Sequence, residues 1–185
     1  MPADTRTLNW YENRDDTAAI KANNWRIQIA KLVAISPSST PTYNIVWQSK
    51  GVAPSTAISW KVQYALGWTV DPPDTGMTVQ ITGEWQPCNL DESYNVDENG
   101  FWVVSDRTKH PKQELAPLPD WLNVGYIDYM SATSATRTPK SKASTFYEPI
   151  FIDPTTLPLG AAGQYKPHEM TSWWLGAGDL TGQVI

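Results

Sequence analysis

The 185-residue sequence predicts an all-β fold, either a two-sheet antiparallel β-sandwich or a flattened β-barrel with long Pro/Gly loops. Three observations support this prediction. Ten Trp and eight Tyr are typical of strands, and fifteen Pro and eleven Gly are typical of turns. Apolar and polar residues alternate in several segments that turn-forming residues separate. Helical patterns do not alternate with the strand patterns, and no motif repeats at a fixed period.

The length favours a single β domain over residues 1–185. Residues 1–24 form an N-terminal arm in this interpretation, and residues 153–185 form a loop-rich tail that packs on the sandwich. The one helical pattern lies at residues 15–21, where Asp15 or Asp16 would cap a short turn.

The longest alternation spans residues 58–70, in which every second residue is apolar. It predicts one long, half-buried strand, and the Pro/Gly-containing loop that follows predicts a hairpin with residues 77–85. The Asn99-Gly100 pair predicts a tight hairpin turn because both residues tolerate positive φ. Further strands are predicted at 25–30, 43–48, 121–130, 146–152 and 169–175. Long loops are predicted at 105–120 and 131–145.

Charge and cysteine content restrict which partners and which cellular compartment are expected. A formal charge of −5 repels phosphate backbones, so nucleic acid is not an expected partner. Cys88 is the only cysteine, which excludes an intrachain disulfide and favours a reducing compartment. Residues 1–16 lack an apolar leader, and no apolar stretch is long enough for a transmembrane segment. We therefore expect a cytoplasmic protein.

The number of tryptophans suggests that some of them bind a ligand. Trp60 and Trp68 lie on the buried-type face of the 58–70 alternation and are interpreted as core. Phe101 and Trp102 are adjacent on a strand, so they face opposite ways and one of them is less buried. The candidate ligand-binding residues are Trp173, Trp174, Trp102, Tyr126 and Trp85. The leading interpretation is a lectin-like protein that binds an amphipathic small molecule, carbohydrate or lipid in an aromatic-lined cleft.

The alternative interpretation is a cofactor-independent isomerase or cyclase that acts on an apolar substrate. Its candidate catalytic residues are Asp128, Glu84 and His168, with the pKa of Asp128 raised by burial among aromatics. The motifs of dinucleotide, phosphate and zinc sites are absent, so we expect no cofactor and no metal. Cys88 is interpreted as an inert small hydrophobe. A third interpretation is a homodimer formed through exposed strand edges.

Overall fold

The computed structural model describes residues 4–129, 133–141 and 144–185. These residues form twelve strands and one helix. In chain order the elements are β1 (Thr5–Tyr11), α1 (Arg14–Ala22), β2 (Trp25–Ala34), β3 (Gln48–Gly51), β4 (Ser55–Lys61), β5 (Tyr64–Thr69), β6 (Gln86–Cys88), β7 (Ser93–Val96), β8 (Trp102–Val104), β9 (Leu122–Ile127), β10 (Thr133–Ser141), β11 (Ser144–Ile152) and β12 (Gly163–Ala177).

The described strands form three sheets packed around a common core. The largest sheet has the order β3-β2-β12-β9-β7-β8, the second has the order β11-β10-β5-β6, and β1 pairs with β4 alone. All of these pairings are antiparallel except the parallel pair β7 and β9. The all-β, sandwich-like prediction is therefore confirmed.

One buried cluster draws on all three sheets. Ile29 comes from the six-stranded sheet, Leu66 from the four-stranded sheet and Ile58 from the two-stranded sheet. Trp60 and Trp68 belong to this cluster, as the alternation predicted. The two tryptophans therefore contribute to stability by removing a large aromatic area from water.

The predicted long strand at 58–70 is broken into β4 and β5. The break falls at Val62 and Gln63, where the Val62 N–H bonds to the Asp4 carbonyl and the chain passes from one sheet to another. The apolar alternation continues across the break because both strands face the same core. Such a sheet switch leaves no trace in a period-two pattern.

The predicted hairpin between 58–70 and 77–85 forms with a different second strand. Strand β5 pairs antiparallel with β6, the next strand along the chain, and the Thr82 N–H bonds to the Trp68 carbonyl. Within the predicted second strand, the Val79 N–H instead bonds to the Gly182 carbonyl near the C-terminus. A pairing partner so far along the chain cannot be chosen from local turn signals.

Two further segments differ from their predictions. The predicted loop at 131–145 contains strand β10, which pairs with β5 and β11, although residues 131, 132, 142 and 143 lie outside the described residues. The predicted loop-rich tail contains β12, a 15-residue strand between β2 and β9. In both segments, hydrogen bonding to neighbouring strands decides the structure rather than apolar periodicity.

Several local predictions are confirmed. Strands β7 and β8 flank the Asn99-Gly100 turn, and Gly100 has φ +84. Residues 105–120 form a loop, and β9 lies inside the largest sheet. Helix α1 forms where expected, but its N-cap is Asn13, whose side chain accepts from the Asp16 N–H. No helix in the described ranges is long and apolar enough to cross a membrane.

An aromatic groove as the candidate functional site

A groove opens between residues 82–86, which lead into β6, and the tip of the β7–β8 hairpin. Its main cavity has a volume of about 440 Å³, and a smaller extension adds about 90 Å³. Glu84, Gly100 and Phe101 line both parts. The remaining lining residues are Trp68, Thr82, Gly83, Asn99, Tyr129, Trp85, Gln86 and Trp102. We call this set of residues the aromatic groove.

Trp68 forms the buried floor of the aromatic groove. It extends from β5, is 4% exposed, and donates its indole Nε1–H to the Gly100 carbonyl at 3.0 Å. Tyr129 packs on it with ring centroids 4.9 Å apart. Trp68 therefore joins the four-stranded sheet to the hairpin tip and fixes the floor of the groove.

Three glycines let the backbone lie directly on the indole rings. A Cβ at Gly83 would lie 2.6 Å from Trp68 Nε1, and one at Gly100 would lie 2.9 Å from Trp68 Cζ2. A Cβ at Gly67 would lie 2.5 Å from the Trp85 ring. Real Cβ atoms do not approach other atoms so closely, so the groove depends on glycine at these positions.

The Gly100→Ala substitution should lower the free energy of unfolding by about 2 kcal/mol. Alanine there combines the strain of positive φ with overpacking against Trp68. Gly76→Ala is the matched control, since Gly76 has φ +85 with nothing within 4 Å of the added Cβ. This control substitution should lower the free energy of unfolding by only about 1 kcal/mol, from the positive-φ backbone alone. Denaturant unfolding of both variants measures the difference, and equal losses would show that the Gly100–Trp68 contact has no effect on stability.

Asp97 holds the hairpin tip in shape. Its side chain accepts hydrogen bonds from the N–H groups of Asn99 and Phe101, each at 2.9 Å. The Asp97 N–H also bonds to the Phe101 carbonyl. Phe101 is 62% exposed at this fixed tip, so its ring is available to a ligand without rearrangement of the backbone.

The polar groups of the groove are few. Glu84 is exposed and is the only charged residue among the described lining residues. The Trp102 Nε1–H is buried and has no hydrogen-bond partner among the described residues. The groove thus combines a large aromatic surface with one carboxylate, two side-chain amides (Asn99 and Gln86) and the hydroxyls of Thr82 and Tyr129.

Three of the predicted site residues meet in the aromatic groove: Glu84, Trp85 and Trp102. The other predicted ligand-binding residues lie elsewhere. Trp173 is 51% exposed on β12 and packs edge-to-face on Trp10 at 4.5 Å. Trp174 stacks with Tyr43, and Tyr126 stacks with His110 at 3.8 Å. None of these residues lines the groove.

Asp128 has an electrostatic environment opposite to the predicted one. Its carboxylate accepts a hydrogen bond from Lys109 Nζ and lies 3.6 Å from His110 Nε2. The Lys109 hydrogen bond holds the pKa of Asp128 below its usual range, despite partial burial. The expectation of a raised pKa is therefore wrong, because a cation from the 105–120 loop outweighs desolvation.

His168 lies half-buried in β12, beside a charge cluster in which the partly exposed carboxylate of Glu169 lies next to the buried ammonium of Lys31. Glu169 accepts hydrogen bonds from Tyr64 OH at 2.6 Å and Trp60 Nε1 at 3.3 Å. Lys31 Nζ lies 3.8 Å from Glu169 Oε2 and 3.8 Å from the Trp60 ring centroid. Lys31 is only 1% exposed and makes no hydrogen bond among the described residues.

Cys88 lies half-buried on β6, and burial raises the pKa of its thiol to about 12. Because the thiolate is the reactive form, we expect Cys88 to react with a disulfide reagent at pH 8 at least 100-fold more slowly in the folded than in the unfolded protein. The absorbance of the released thiol, with and without guanidinium, measures both rates. Rates within a factor of ten of each other would contradict burial of this thiol.

Sequence reasoning missed Phe101 and Tyr129 as lining residues and assigned Trp68 to the core alone. The predicted Asn-Gly turn placed Phe101 next to a hairpin tip, which was an available signal. The groove itself arises from contacts between separate segments, such as the bond from Trp68 to Gly100. No local pattern records such a contact.

A scan against protein-family models, a search of curated proteins and a search of solved structures each found no match. Within the described ranges, no three His, Cys, Asp or Glu side chains are grouped so that they could hold a metal ion. Any functional inference therefore depends on the geometry of the aromatic groove.

Proposed function

We propose that this chain binds a small amphipathic molecule, such as a carbohydrate or the polar end of a lipid, in the aromatic groove. The observation that carries the proposal is the convergence of aromatic rings with the Glu84 carboxylate. Phe101 and Glu84 line both cavities, Trp68 and Tyr129 line the main one, and Trp85 and Trp102 line the smaller one. Aromatic faces bind the apolar side of such a ligand, while a few polar groups bind its edge.

The rigidity of the groove also supports binding. The floor is fixed by the Trp68 hydrogen bond, and the tip is fixed by Asp97. A binding surface held in shape before the ligand arrives loses little conformational entropy on binding. The main cavity, at about 440 Å³, is also within the usual size range of small-molecule sites.

The isomerase or cyclase alternative gains less support from the structure. Glu84 lies in the groove, Asp128 is held ionised by Lys109, and His168 lies on β12. Neither Asp128 nor His168 lines the groove, so the three candidates do not surround a common cavity there. We therefore favour binding over catalysis.

The proposal is tested with ¹⁵N-labelled tryptophan, because the indole N–H signals of the ten tryptophans report each site separately. The probes are methyl β-glucoside, octyl β-glucoside below its micellar concentration, and choline. At least one probe should shift the signals of Trp68, Trp85 and Trp102 together. Single Trp→Phe variants assign the signals.

The internal controls are Trp47, which is fully buried, and Trp173, which is exposed but outside the groove. Their signals should not move. Phe101→Ala should weaken binding at least threefold while leaving the fold intact, because this ring is mostly exposed. Shifts confined to Trp173 and Trp10, or the absence of any groove shift with all three probes, would contradict the proposal.

A further inference from the structure

The charge of the aromatic groove selects among amphipathic ligands. Glu84 is the one charged residue that lines it, and the described lining residues include no Lys, Arg or His. The whole chain carries a formal charge of −5. An anionic ligand would meet a carboxylate with no compensating cation among the described lining residues, whereas a cationic ligand is attracted by Glu84 and by the overall field.

The aromatic rings add to the same preference. The π-face of a Trp, Tyr or Phe ring carries partial negative charge and attracts an ammonium group placed over it. Phe101 and Tyr129 line the main cavity, and Trp85 and Trp102 line its extension beside Glu84. A neutral ligand would gain the dispersion contacts of these rings but neither electrostatic contribution.

The core of the same protein contains an ammonium group held in this way. Lys31 Nζ lies 3.8 Å from the Trp60 ring centroid, 5.0 Å from that of Trp47 and 3.8 Å from Glu169 Oε2. Two aromatic rings and one carboxylate thus surround a cation there. The aromatic groove presents the same kinds of group on an open surface, where a bound cation keeps part of its hydration and avoids most of the desolvation cost that Lys31 bears in the core.

We infer that the ligand of the aromatic groove is an organic monocation whose alkylammonium group lies over the aromatic rings, with Glu84 as its counter-ion. This inference rests on the proposed function and adds the chemical class of the ligand. The ligand's remaining polar atoms would face Asn99 and Thr82 at the rim of the main cavity.

The test compares choline with 3,3-dimethyl-1-butanol, which has the same shape but carries carbon in place of the charged nitrogen. Titrations followed by the indole signals of Trp68, Trp85 and Trp102 give both dissociation constants. Choline should bind at least fivefold more tightly than the alcohol. Glu84→Gln should raise the dissociation constant of choline at least threefold and leave that of the alcohol unchanged.

Asp15→Asn is the matched control variant. It removes one negative charge from an exposed position in the first turn of α1 and should change neither constant. Equal binding of choline and the alcohol, or choline binding that Glu84→Gln does not weaken, would overturn the cationic ligand and leave the proposed function standing. If choline shifts no groove signal, the cationic ligand is wrong, and the glucoside probes decide the proposed function separately.

Discussion

Replacing Lys31 with methionine should raise the free energy of unfolding by about 1–3 kcal/mol at pH 7, because the remaining Glu169 carboxylate is 35% exposed and keeps its hydrogen bonds from Tyr64 and Trp60. Lys31 is almost fully buried on the core face of β2. Burial lowers the pKa of its ammonium to about 8, although the nearby Glu169 carboxylate opposes the shift. A pKa lowered from 10.5 means that holding the protonated form in the core costs about 3 kcal/mol.

The contribution of Lys31 to stability should change with pH, and the lowered pKa fixes the direction of that change. Between pH 8 and about 10 the unfolded chain keeps the Lys31 proton that the folded chain has released, so stability rises with pH in this window. Below pH 8 both states are protonated and the full cost applies. The advantage of Lys31→Met over wild type should therefore shrink as the pH rises from 7.5 to 9.5.

Urea unfolding of wild type and Lys31→Met at several pH values measures the difference directly. Burial raises the pKa of Tyr64 and of Cys88, so these two groups lower the stability of the folded protein at alkaline pH. Both groups are present in both proteins, so their contributions cancel in the difference. Lys61→Met, at a partly exposed position, is the matched control and should change stability by less than about 0.5 kcal/mol. A pH-independent difference between wild type and Lys31→Met would contradict the buried-ammonium account.

Truncating Trp68 to alanine should lower the free energy of unfolding by about 3–5 kcal/mol, because it empties a large volume in the core. Trp68→Phe keeps an aromatic ring but removes the N–H that bonds to the Gly100 carbonyl. It should cost about 1–2 kcal/mol and loosen the hairpin tip. Denaturant unfolding gives the stabilities, and amide exchange at Gly100 and Phe101 reports on the tip.

Trp173→Ala is the comparison for this series. Because Trp173 is about half exposed, its truncation should lower the free energy of unfolding by less than about 2 kcal/mol. Both Trp68 variants should weaken ligand binding in the groove, while Trp173→Ala should not. A Trp68→Phe protein with unchanged stability and unchanged exchange at the hairpin tip would show that the indole hydrogen bond does not hold the groove together.

The sequence predicted those elements whose signals are local. Strand β2 and the hairpin at Asn99-Gly100 were found because alternation and turn chemistry are read within a few residues. The prediction of one strand at 58–70 failed because the chain changes sheets at Val62 while its apolar residues keep facing one core. Strand β10 was missed because its Thr- and Ser-rich sequence resembles a loop, and pairing with β5 makes it a strand.

The candidate site was predicted only in fragments. Glu84, Trp85 and Trp102 are each predicted as site residues, but no local pattern places them together, since Trp68 and Gly100 join segments 32 positions apart. The expected raised pKa of Asp128 failed for a similar reason. Its partner Lys109 lies in the 105–120 loop, and the path of that loop could not be predicted. Strand alternation assigned Trp173 and Trp174 to opposite faces of β12 but carried no information on which faces adjoin the groove.

Binding in the aromatic groove is tested most directly by a crystal structure of the protein grown or soaked with choline or octyl β-glucoside. The account predicts ligand density in the cavity bounded by Trp68, Phe101 and Tyr129, with a polar or charged atom of the ligand beside Glu84. Density against Trp10 and Trp173 with an empty groove, or no bound probe at concentrations that saturate the indole shifts, would contradict it.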